Sequence, residues 1–357
     1  MNEATRIVGT GSVIPEQVVP NDAFLSKDFL DENGQPYAHP NDVIIEKFQK
    51  ITDIASRRYL KEDQVSSDIG AVAAQRAIED AGWDPETIDL LIVGQNFGDI
   101  VFGTRHMDQM PSIASRVKEM LGISNPNTVA FDVLAGCPGW IQGVQIAHAY
   151  FSAGLAKRAV VVGCDALSRT VDKHDRDQMI FADGAGAACF ERQQSDQGNG
   201  IIGMSSQTFT KEEAYYLKSN PSFNPELDQT ERLIKMRGRK IYEFAIRHVP
   251  SAMKAALDNA GVDLKDVKKI FMHQANAKLD HAVGDRLYAL YGMNADLDDV
   301  MPMSIHWLGN ASVATVPTLL DMVIKENYEG HSIAKGDILL FASVGAGMNI
   351  NAFVYEV

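Results

Sequence analysis

Cysteine is scarce in this sequence, with only three residues of this type among 357: Cys137, Cys164 and Cys189. The number is odd, and the spacing contains no C-x-x-C pair and no Cys/His zinc pattern, so we expect free thiols in a reducing compartment and no metal site. Long apolar runs are missing too. Because no run approaches the roughly 20 residues of a membrane span and the start MNEATR does not resemble a secretory signal, we expect a cytosolic protein without a membrane anchor.

Positive charge is also in deficit. The sequence has 33 Lys and Arg against 47 Asp and Glu, a formal net charge of -14. General nucleic-acid binders need an excess of cations to neutralise phosphates, so we expect no nucleic-acid partner, and an acidic protein partner would need a local basic patch. The stretch GTGSVIPEQ lacks the third glycine and the helix start of a dinucleotide-binding loop, so we expect no cofactor.

Short, β-branched apolar runs alternate along the chain with amphipathic helical windows. The strand-like runs are LLIVGQ at 90–95, AVVVG at 159–163, KIFMHQ at 269–274 and ILLFASVG at 338–345. They are apolar on both faces, as strands covered by helices on each side should be. The pattern predicts an α/β fold with a largely parallel sheet.

A weak internal repeat relates the two parts of the chain. AIEDAGWDPETIDLLIVGQ from Ala77 aligns without gaps with ALDNAGVDLKDVKKIFMHQ from Ala256, and AKRAVVVG from Ala156 aligns with AKGDILLF from Ala334. Local preferences for helix, turn and strand also produce some similarity of this kind. We interpret the repeat as a duplication, with halves 1–192 and 193–357 and the polar connector QQSDQGNG at 193–200. The segment around Cys137 would then correspond to the segment near Asn310, with one site shared between the halves.

The segment DVLAGCPGWIQG places Cys137 between a predicted strand, TVAFDVL, and a predicted helix, IQGVQIAHAYF. Proline fits the first position of a helix, so we expect Pro138 there and Cys137 as the N-cap. The partial positive charge of a helix N-terminus stabilises a thiolate and would lower the pKa of the Cys137 thiol. Cys164 and Cys189 lie in or beside apolar strands, where a buried, inert thiol is the better interpretation.

Two polar residues of the second half are candidates for the partners of a thiol nucleophile. His273 stands at the C-terminal end of an apolar strand in IFMHQAN, the edge at which open α/β sheets bind their ligands. Asn310, in HWLGNASVATVP, precedes a predicted helix start, and an ordinary N-cap is the alternative explanation. Gly345 and Gly347, in SVGAGMNI, would let backbone N–H groups approach a ligand, although a plain turn would have the same sequence.

Five of these motifs together resemble the β-ketoacyl-acyl-carrier-protein synthase III family of thiolase-fold condensing enzymes. The motifs are DVLAGCPGW at 132–140, FADGAGA at 181–187, HQAN at 273–276, GNASVATVP at 309–317 and the terminal GAG at 345–347. Each alone is modest, but all five occur in the order of the family. The resemblance implies two βαβαβαββ halves related by a pseudo-two-fold axis, five αβαβα layers and a homodimer.

The resemblance also implies a catalytic triad of Cys137, His273 and Asn310. Cys137 would attack an acyl thioester and hold the acyl group. His273 and Asn310 would donate hydrogen bonds to malonyl-acyl carrier protein, stabilising the enolate formed when carbon dioxide leaves, and the N–H groups of Cys137 and Gly345 would form the oxyanion hole. An amide keeps its donor NH₂ at every relevant pH, whereas a second cysteine would serve as a base.

The chain departs from the family pattern at several positions. The Trp and Arg with which the family clamps the adenine of coenzyme A fall at Lys47 and Ile51. A primer on acyl carrier protein is therefore favoured over acyl-CoA, and we expect a primer other than acetyl. In the family a loop crosses the dimer to line the acyl pocket of the other subunit, and Met110 is the candidate for that role. The family's Arg after the HQAN motif is Lys278 here.

A cluster of cations is the candidate docking site for the acidic acyl carrier protein. It comprises Arg232, Lys235, Arg237, Arg239 and Lys240, with Lys278 beside them in the family arrangement. A solvated helix face would explain the same charge run. The family docks its carrier near this segment, which favours the functional interpretation.

Other functions stay open at this stage. A non-decarboxylating acyltransferase on the same fold would acylate Cys137 without releasing carbon dioxide. A ketosynthase or cyclase of a dialkylresorcinol or aryl-lipid pathway is a second alternative. A papain-like protease lacks its local signature here, and a catalytically silent binding protein is disfavoured by the intact triad.

Overall fold

The computed structural model describes residues 2–195, 199–294 and 296–357, so residues 196–198 of the predicted polar connector lie outside the described residues. The strands of the first half are β1 (Asn2–Val13), β2 (Gln17–Pro20), β3 (Ser56–Tyr59), β4 (Leu90–Gly94), β5 (Val129–Val133), β6 (Arg158–Ala166) and β7 (Asp183–Ser195). Its helices are α1 (Asn41–Thr52), α2 (Ser66–Asp80), α3 (Ile113–Met120) and α4 (Gly139–Ser152).

The second half repeats this alternation of strands and helices. Its strands are β8 (Gly200–Thr208), β9 (Leu217–Asn220), β10 (Leu233–Met236), β11 (Val267–Met272), β12 (Ile338–Gly345) and β13 (Asn349–Glu356). Its helices are α5 (Gly238–Ala260), α6 (Ala277–Leu290), α7 (Leu297–Val300), α8 (Ile305–Leu308) and α9 (Thr315–Glu326). The four strand-like runs found in the sequence are confirmed as β4, β6, β11 and β12.

Two sheets of matching order form the framework. The first has the order β1-β7-β6-β4-β5 and the second the order β8-β13-β12-β11. The pairs β4–β5, β4–β6 and β11–β12 are parallel, whereas β1–β7, β6–β7, β12–β13 and β8–β13 are antiparallel. The prediction of a largely parallel sheet is therefore wrong. Each half ends in an antiparallel pair, β6–β7 joined through residues 167–182 and β12–β13 joined by a short turn.

Helices α4 and α9 lie between the two sheets, and the remaining long helices cover the outer faces. Helices α2 and α3 pack on the first sheet, while α5 packs on the second sheet and α6 packs against α5. The result is the five-layer αβαβα arrangement that the resemblance implies. Trp140 at the start of α4 is fully buried at its centre, against the rings of Phe190, Phe341 and Phe353 from both sheets.

The strands bury both faces, because alternate residues enter different cores. In β4, Leu90 and Ile92 enter the central core between the sheets, and Leu91 and Val93 enter the outer core against α2. In β11, Phe271 faces the central core, and its neighbours Ile270 and Met272 face α5. A side chain two residues after Phe271 in an extended chain therefore points toward the centre of the molecule, and that residue is His273.

The duplication interpreted from the sequence agrees with this topology. The Ala77 and Ala256 units both run from a helix through a 3₁₀ turn into a strand, β4 and β11 respectively. The first sheet runs through Ser195 and the second begins at Gly200. The predicted boundary between the halves, after residue 192, stays a prediction. The hairpin β9–β10 is an addition to the second half and lies beside the candidate site.

Candidate active site

Cys137 lies in the loop between β5 and the inner helix α4. The carbonyl of Pro138 accepts the first hydrogen bond of the helix, from the Gln142 N–H at 2.9 Å, so Pro138 is the N-cap and the helix begins at Gly139. The prediction that Cys137 is the N-cap is wrong by one position, because the proline carbonyl rather than the cysteine carbonyl closes the first turn. Cys137 still stands at the N-terminal end of the helix.

The Cys137 thiol is less acidic than the sequence predicts. Burial raises its pKa to about 11, and the Ser312 hydroxyl opposes the shift with a hydrogen bond to Sγ at 3.5 Å. The buried carboxylate of Asp165 also raises this pKa. Desolvation of a thiolate outweighs the helix terminus here, so the expected lowering is wrong. The thiol rests protonated at neutral pH.

Gly345 at the end of β12 packs directly on the backbone of Cys137. A Cβ at Gly345 would lie 2.4 Å from the Cys137 nitrogen, and a Cβ at Gly136 would lie 2.4 Å from the Ala346 nitrogen. Gly136 also has a φ of 69°, the left-handed region that favours glycine. The two loops therefore meet backbone to backbone, and the N–H groups of Cys137 and Gly345 lie on adjoining segments.

His273 follows β11 and is held by the sheet. Its backbone N–H donates to the carbonyl of Ala342 in β12 at 2.9 Å, and the residue is buried. Burial lowers the pKa of the imidazole to about 4, while a backbone hydrogen bond with Ser312 opposes the shift. The ring is neutral at pH 7. Its Nδ1 is buried and has no partner among the described residues, and the neutral ring carries one N–H.

Asn310 lies in the turn between α8 and α9. Its N–H donates to the carbonyl of Ile180 at 3.0 Å, and its own carbonyl accepts from the N–H of Ala182 at 2.8 Å. The side-chain Oδ1 accepts from the Ser312 N–H at 2.8 Å, which leaves the two Nδ2 hydrogens to donate. The N-cap of α9 is Ala314, so the alternative explanation of Asn310 as an ordinary cap of that helix is not correct.

Ser312 joins the three residues that the resemblance groups as a triad. Its hydroxyl contacts the Cys137 sulfur, its N–H holds the Asn310 oxygen, and its backbone bonds with the His273 side chain. The sequence analysis missed this residue although it lies inside the GNASVATVP motif. Its own hydroxyl accepts a hydrogen bond from Asn96 at 3.0 Å, a second residue that was missed.

A cavity of about 190 Å³ opens at Cys137. Its apolar wall consists of Phe97, Leu167, Phe181, Leu217 and Ile234. Phe181 belongs to the FADGAGA motif, but the two residues from the hairpin β9–β10 have no sequence signal of their own. The cavity is the candidate acyl pocket.

Met110, the residue expected to line the pocket of a partner subunit, lies far out on the surface. It is 88% exposed and is not part of the cavity wall of its own chain. Val101 and Phe102 of the same loop are 61% and 51% exposed. An exposed apolar loop of this kind is typical of a surface that another protein covers.

The predicted docking cations do not all reach the surface. Lys235 is buried and binds Asp172 and Asp175, with Nζ to Oδ2 distances of 2.5 and 3.0 Å, so its assignment to a docking surface is wrong. Its side chain points from β10 toward these carboxylates, which neutralise it. The other five cations, Arg232, Arg237, Arg239, Lys240 and Lys278, are exposed.

Acidic neighbours reduce the charge of this surface. Glu243 pairs with Arg239 at 2.9 Å and with Lys240 at 3.8 Å. The positions of the adenine clamp, Lys47 and Ile51, lie one turn apart on α1 and are both exposed. Neither side chain offers a flat aromatic surface or a guanidinium group to an adenine ring.

The chain has the five layers of the thiolase fold, with a cysteine before one inner helix and an asparagine before the other. This combination defines an acyl-transferring condensing enzyme of that fold. The family model for 3-oxoacyl-[acyl-carrier-protein] synthase III matches residues 131–209, and the model for its C-terminal part matches residues 257–357. The chain belongs to this family and is an acyltransferase of the 3-oxoacyl-acyl-carrier-protein synthase type.

Relatives of nearly equal length support the assignment of the chain to this family. The β-ketoacyl-[acyl-carrier-protein] synthase III of Prochlorococcus marinus strain NATL2A is 30% identical, covering 98% of this chain and 94% of the relative. The enzyme of that name from Caldanaerobacter subterraneus subsp. tengcongensis is 31% identical, covering 97% and 95%. The crystal structure of the Thermus thermophilus synthase III is 28% identical, with a TM-score of 0.80 over 98% of each chain.

Among the described residues, no helix is both long enough and apolar enough to span a membrane.

Proposed function

We propose that this enzyme loads an acyl group onto Cys137 and condenses it with malonyl-acyl carrier protein. The observation that carries the proposal is the convergence on Ser312 of the Cys137 sulfur, the Asn310 amide and the His273 side chain. In the first step the sulfur attacks the carbonyl of the primer thioester. The carbon–sulfur bond to the carrier breaks, and the thiol proton leaves with the carrier thiolate.

In the second step malonyl-acyl carrier protein loses carbon dioxide, and the electron pair of the broken bond enters an enolate. His273 and the Asn310 amide donate hydrogen bonds to the enolate oxygen. The carbanion carbon then attacks the acyl-Cys137 carbonyl, a carbon–carbon bond forms, and the sulfur leaves as a thiolate that regains a proton. The products are β-ketoacyl-acyl carrier protein and carbon dioxide.

The backbone N–H groups of Cys137 and Gly345 would stabilise the oxyanion in both steps. The close packing of their loops supports this role, since a preorganised pair of donors is the usual device for a tetrahedral intermediate. No metal or cofactor is part of this mechanism.

The primer is an apolar acyl chain longer than acetyl. A cavity of about 150 Å³ holds a benzene molecule, so the 190 Å³ beside Cys137 takes a chain of about seven or eight carbons. Each buried CH₂ contributes about 0.8 kcal/mol to binding. The exposed Lys47 and Ile51 lack the groups that clamp an adenine, which favours acyl carrier protein over coenzyme A as the primer carrier.

The enzyme acts as a homodimer in the cytosol. The exposure of Met110, Val101 and Phe102 supports the dimer, in which Met110 would extend into the acyl pocket of the partner. The free state of all three cysteines supports a reducing compartment. Acyl carrier protein would dock on the exposed cations Arg232, Arg237, Arg239, Lys240 and Lys278.

An intact-mass experiment tests the proposal. The enzyme is incubated with acyl thioesters of two to sixteen carbons on either carrier, and the mass shift on Cys137 is mapped, with Cys137→Ala as the control. Labelled malonyl-acyl carrier protein is then added and carbon dioxide is trapped. Acylation with release of carbon dioxide is expected; acylation without it would identify a non-decarboxylating acyltransferase, and no acylation at Cys137 would refute the proposal.

A further inference from the structure

A chain of hydrogen bonds runs from a buried carboxylate to the sulfur of Cys137. Asp165 at the end of β6 accepts from the Asn96 N–H at 2.9 Å and from Asn96 Nδ2 at 2.6 Å. Asn96 Nδ2 also donates to the Ser312 hydroxyl oxygen at 3.0 Å. The Ser312 hydroxyl lies 3.5 Å from the Cys137 sulfur. Three residues from three separate segments therefore act on one atom.

The two bonds of the Asn96 side chain have a defined direction. Burial raises the pKa of the Asp165 carboxyl to about 7, so above pH 7.5 it is largely ionised and only accepts, and it then holds the Asn96 amide with its NH₂ group toward it. One hydrogen of this NH₂ group binds Asp165, and the other binds the Ser312 oxygen. The Ser312 oxygen accepts from Asn96, and its own hydrogen can donate to the Cys137 sulfur at 3.5 Å or to Asp165, whose pKa this hydroxyl lowers.

The backbone of Ser312 is also held in place. Its φ of 54° lies in the left-handed region, which costs a residue with a side chain of this kind of order 1–3 kcal/mol. The Asn310 oxygen holds this conformation through the Ser312 N–H at 2.8 Å. The residue is buried and lines the cavity at Cys137.

We propose that Asn96, held by Asp165, is a positioning residue that turns the Ser312 hydroxyl hydrogen toward Cys137. Ser312 then stabilises the sulfur whenever it carries negative charge, as attacking thiolate and as leaving group. The inference rests on the proposed function, in which Cys137 is the nucleophile. It adds Ser312 to the groups that touch the reacting sulfur.

The alkylation of Cys137 by iodoacetamide is the test, because it reports the thiolate without any substrate. Rates are measured between pH 7.5 and 10.5, where the thiol is mostly protonated and the rate is proportional to the thiolate fraction, so a change in pKa displaces the whole pH–rate line; peptide mapping assigns the modified cysteine. Ser312→Ala should raise the apparent pKa of the Cys137 thiol by about one unit and reduce the alkylation rate at pH 8 about tenfold. Ser66→Ala, which also removes a buried hydroxyl, is the matched control and should leave both unchanged.

Asn96→Asp gives the sharper result. The new carboxylate accepts from the Ser312 hydroxyl and turns its hydrogen away from the sulfur, so the alkylation rate should fall about tenfold although Ser312 is intact. The added carboxylate also raises the Cys137 pKa directly, as Asp165 does, and this direct effect persists when Ser312 is replaced by alanine. If Asn96→Asp does not fold, Asn96→Ala tests the same point, with a smaller loss because the hydroxyl then rotates freely.

A double-mutant cycle excludes a merely structural effect. If Asn96 acts through Ser312, Asn96→Asp should slow alkylation less in the Ser312→Ala background than in wild type. Additive losses, or a wild-type profile for Asn96→Asp, would overturn the inference. Condensation by the Cys137→Ala variant would instead refute the proposed function, so the two failures are distinguishable.

Discussion

Gly345→Ala is the perturbation with the most direct consequence for the proposed oxyanion hole. The new Cβ would lie 2.4 Å from the Cys137 nitrogen and 2.6 Å from Cδ of Pro138, whereas ordinary contact begins at 3.4 Å. Both partners belong to backbone or to a proline ring, so neither has a free side chain that could move aside. The Cys137 backbone must therefore shift by about 1 Å.

The size of this shift sets the expected loss of activity. A displacement of about 1 Å in a reacting group reduces rates about 10²-fold, and removal of one oxyanion donor costs about 10²- to 10³-fold in kcat. We expect kcat for condensation to fall by about two orders of magnitude. Overpacking of this kind costs roughly 1–3 kcal/mol of folding free energy, so the variant should still fold.

Steady-state release of carbon dioxide from malonyl-acyl carrier protein, with a urea titration of the same preparation, measures both effects. Gly238→Ala is the matched control, since a Cβ there meets nothing within 4 Å and its backbone is not in the left-handed region. The control should keep full activity. A Gly345→Ala enzyme that folds and retains kcat within twofold would refute the assignment of this loop to the oxyanion hole.

Four other predictions follow from the structure. Burial lowers the pKa of His273 from 6.5 to about 4, so between these values the unfolded chain binds more protons than the folded chain. The free energy of unfolding therefore falls as pH falls through this window. Urea titrations should show that wild type loses about 2 kcal/mol more than His273→Gln between pH 7 and pH 5. Lys235→Met leaves Asp172 and Asp175 without their cation, so a urea titration should show the free energy of unfolding lowered by roughly 3–5 kcal/mol. A variant of unchanged stability with a raised KM for the carrier-borne substrate would instead place Lys235 in the docking surface. Arg237→Glu should raise KM for carrier-borne substrates at least several-fold, and more at low salt. The control Lys157→Glu should leave KM unchanged. An unchanged KM in Arg237→Glu would mean that the cluster of exposed cations is only a solvated surface. Leu217→Trp should shorten the longest primer that acylates Cys137 by several carbons, measured by intact mass, and an unchanged limit would place the acyl chain elsewhere.

Local patterns predict the strands and the position of the candidate nucleophile, whereas the five layers were implied by the resemblance to the family. Strands β4 and β12 are readable from β-branched apolar runs, and Cys137 from its junction between β5 and α4. The antiparallel pairing within each sheet was not readable in this way, since the same apolar run fits a strand of either direction. The sequence therefore determined which segments are strands better than how they pair.

Burial and ionisation depend on contacts between distant segments, and there the sequence predictions fail. Lys235 stands in a run of cations, but its partners Asp172 and Asp175 come from 63 and 60 residues away. The Cys137 pKa was predicted from the helix terminus alone, whereas the burial that raises it arises when loops of both halves close over the thiol. Ser312 was missed because its role depends on a left-handed backbone conformation that serine rarely adopts.

The two shifted pKa values bear on the type of chemistry that the site supports. A general base works best with a pKa near the working pH, and an imidazole with a pKa of about 4 is a weak base at pH 7. The same neutral ring remains a hydrogen-bond donor at every pH above that value, as does the Asn310 amide. Removal of a proton from a carbon acid requires a base, a role for which His273 is poorly suited, whereas loss of carbon dioxide generates the carbanion without one. The burial that disables His273 as a base therefore favours the decarboxylating reaction over one that begins with proton abstraction.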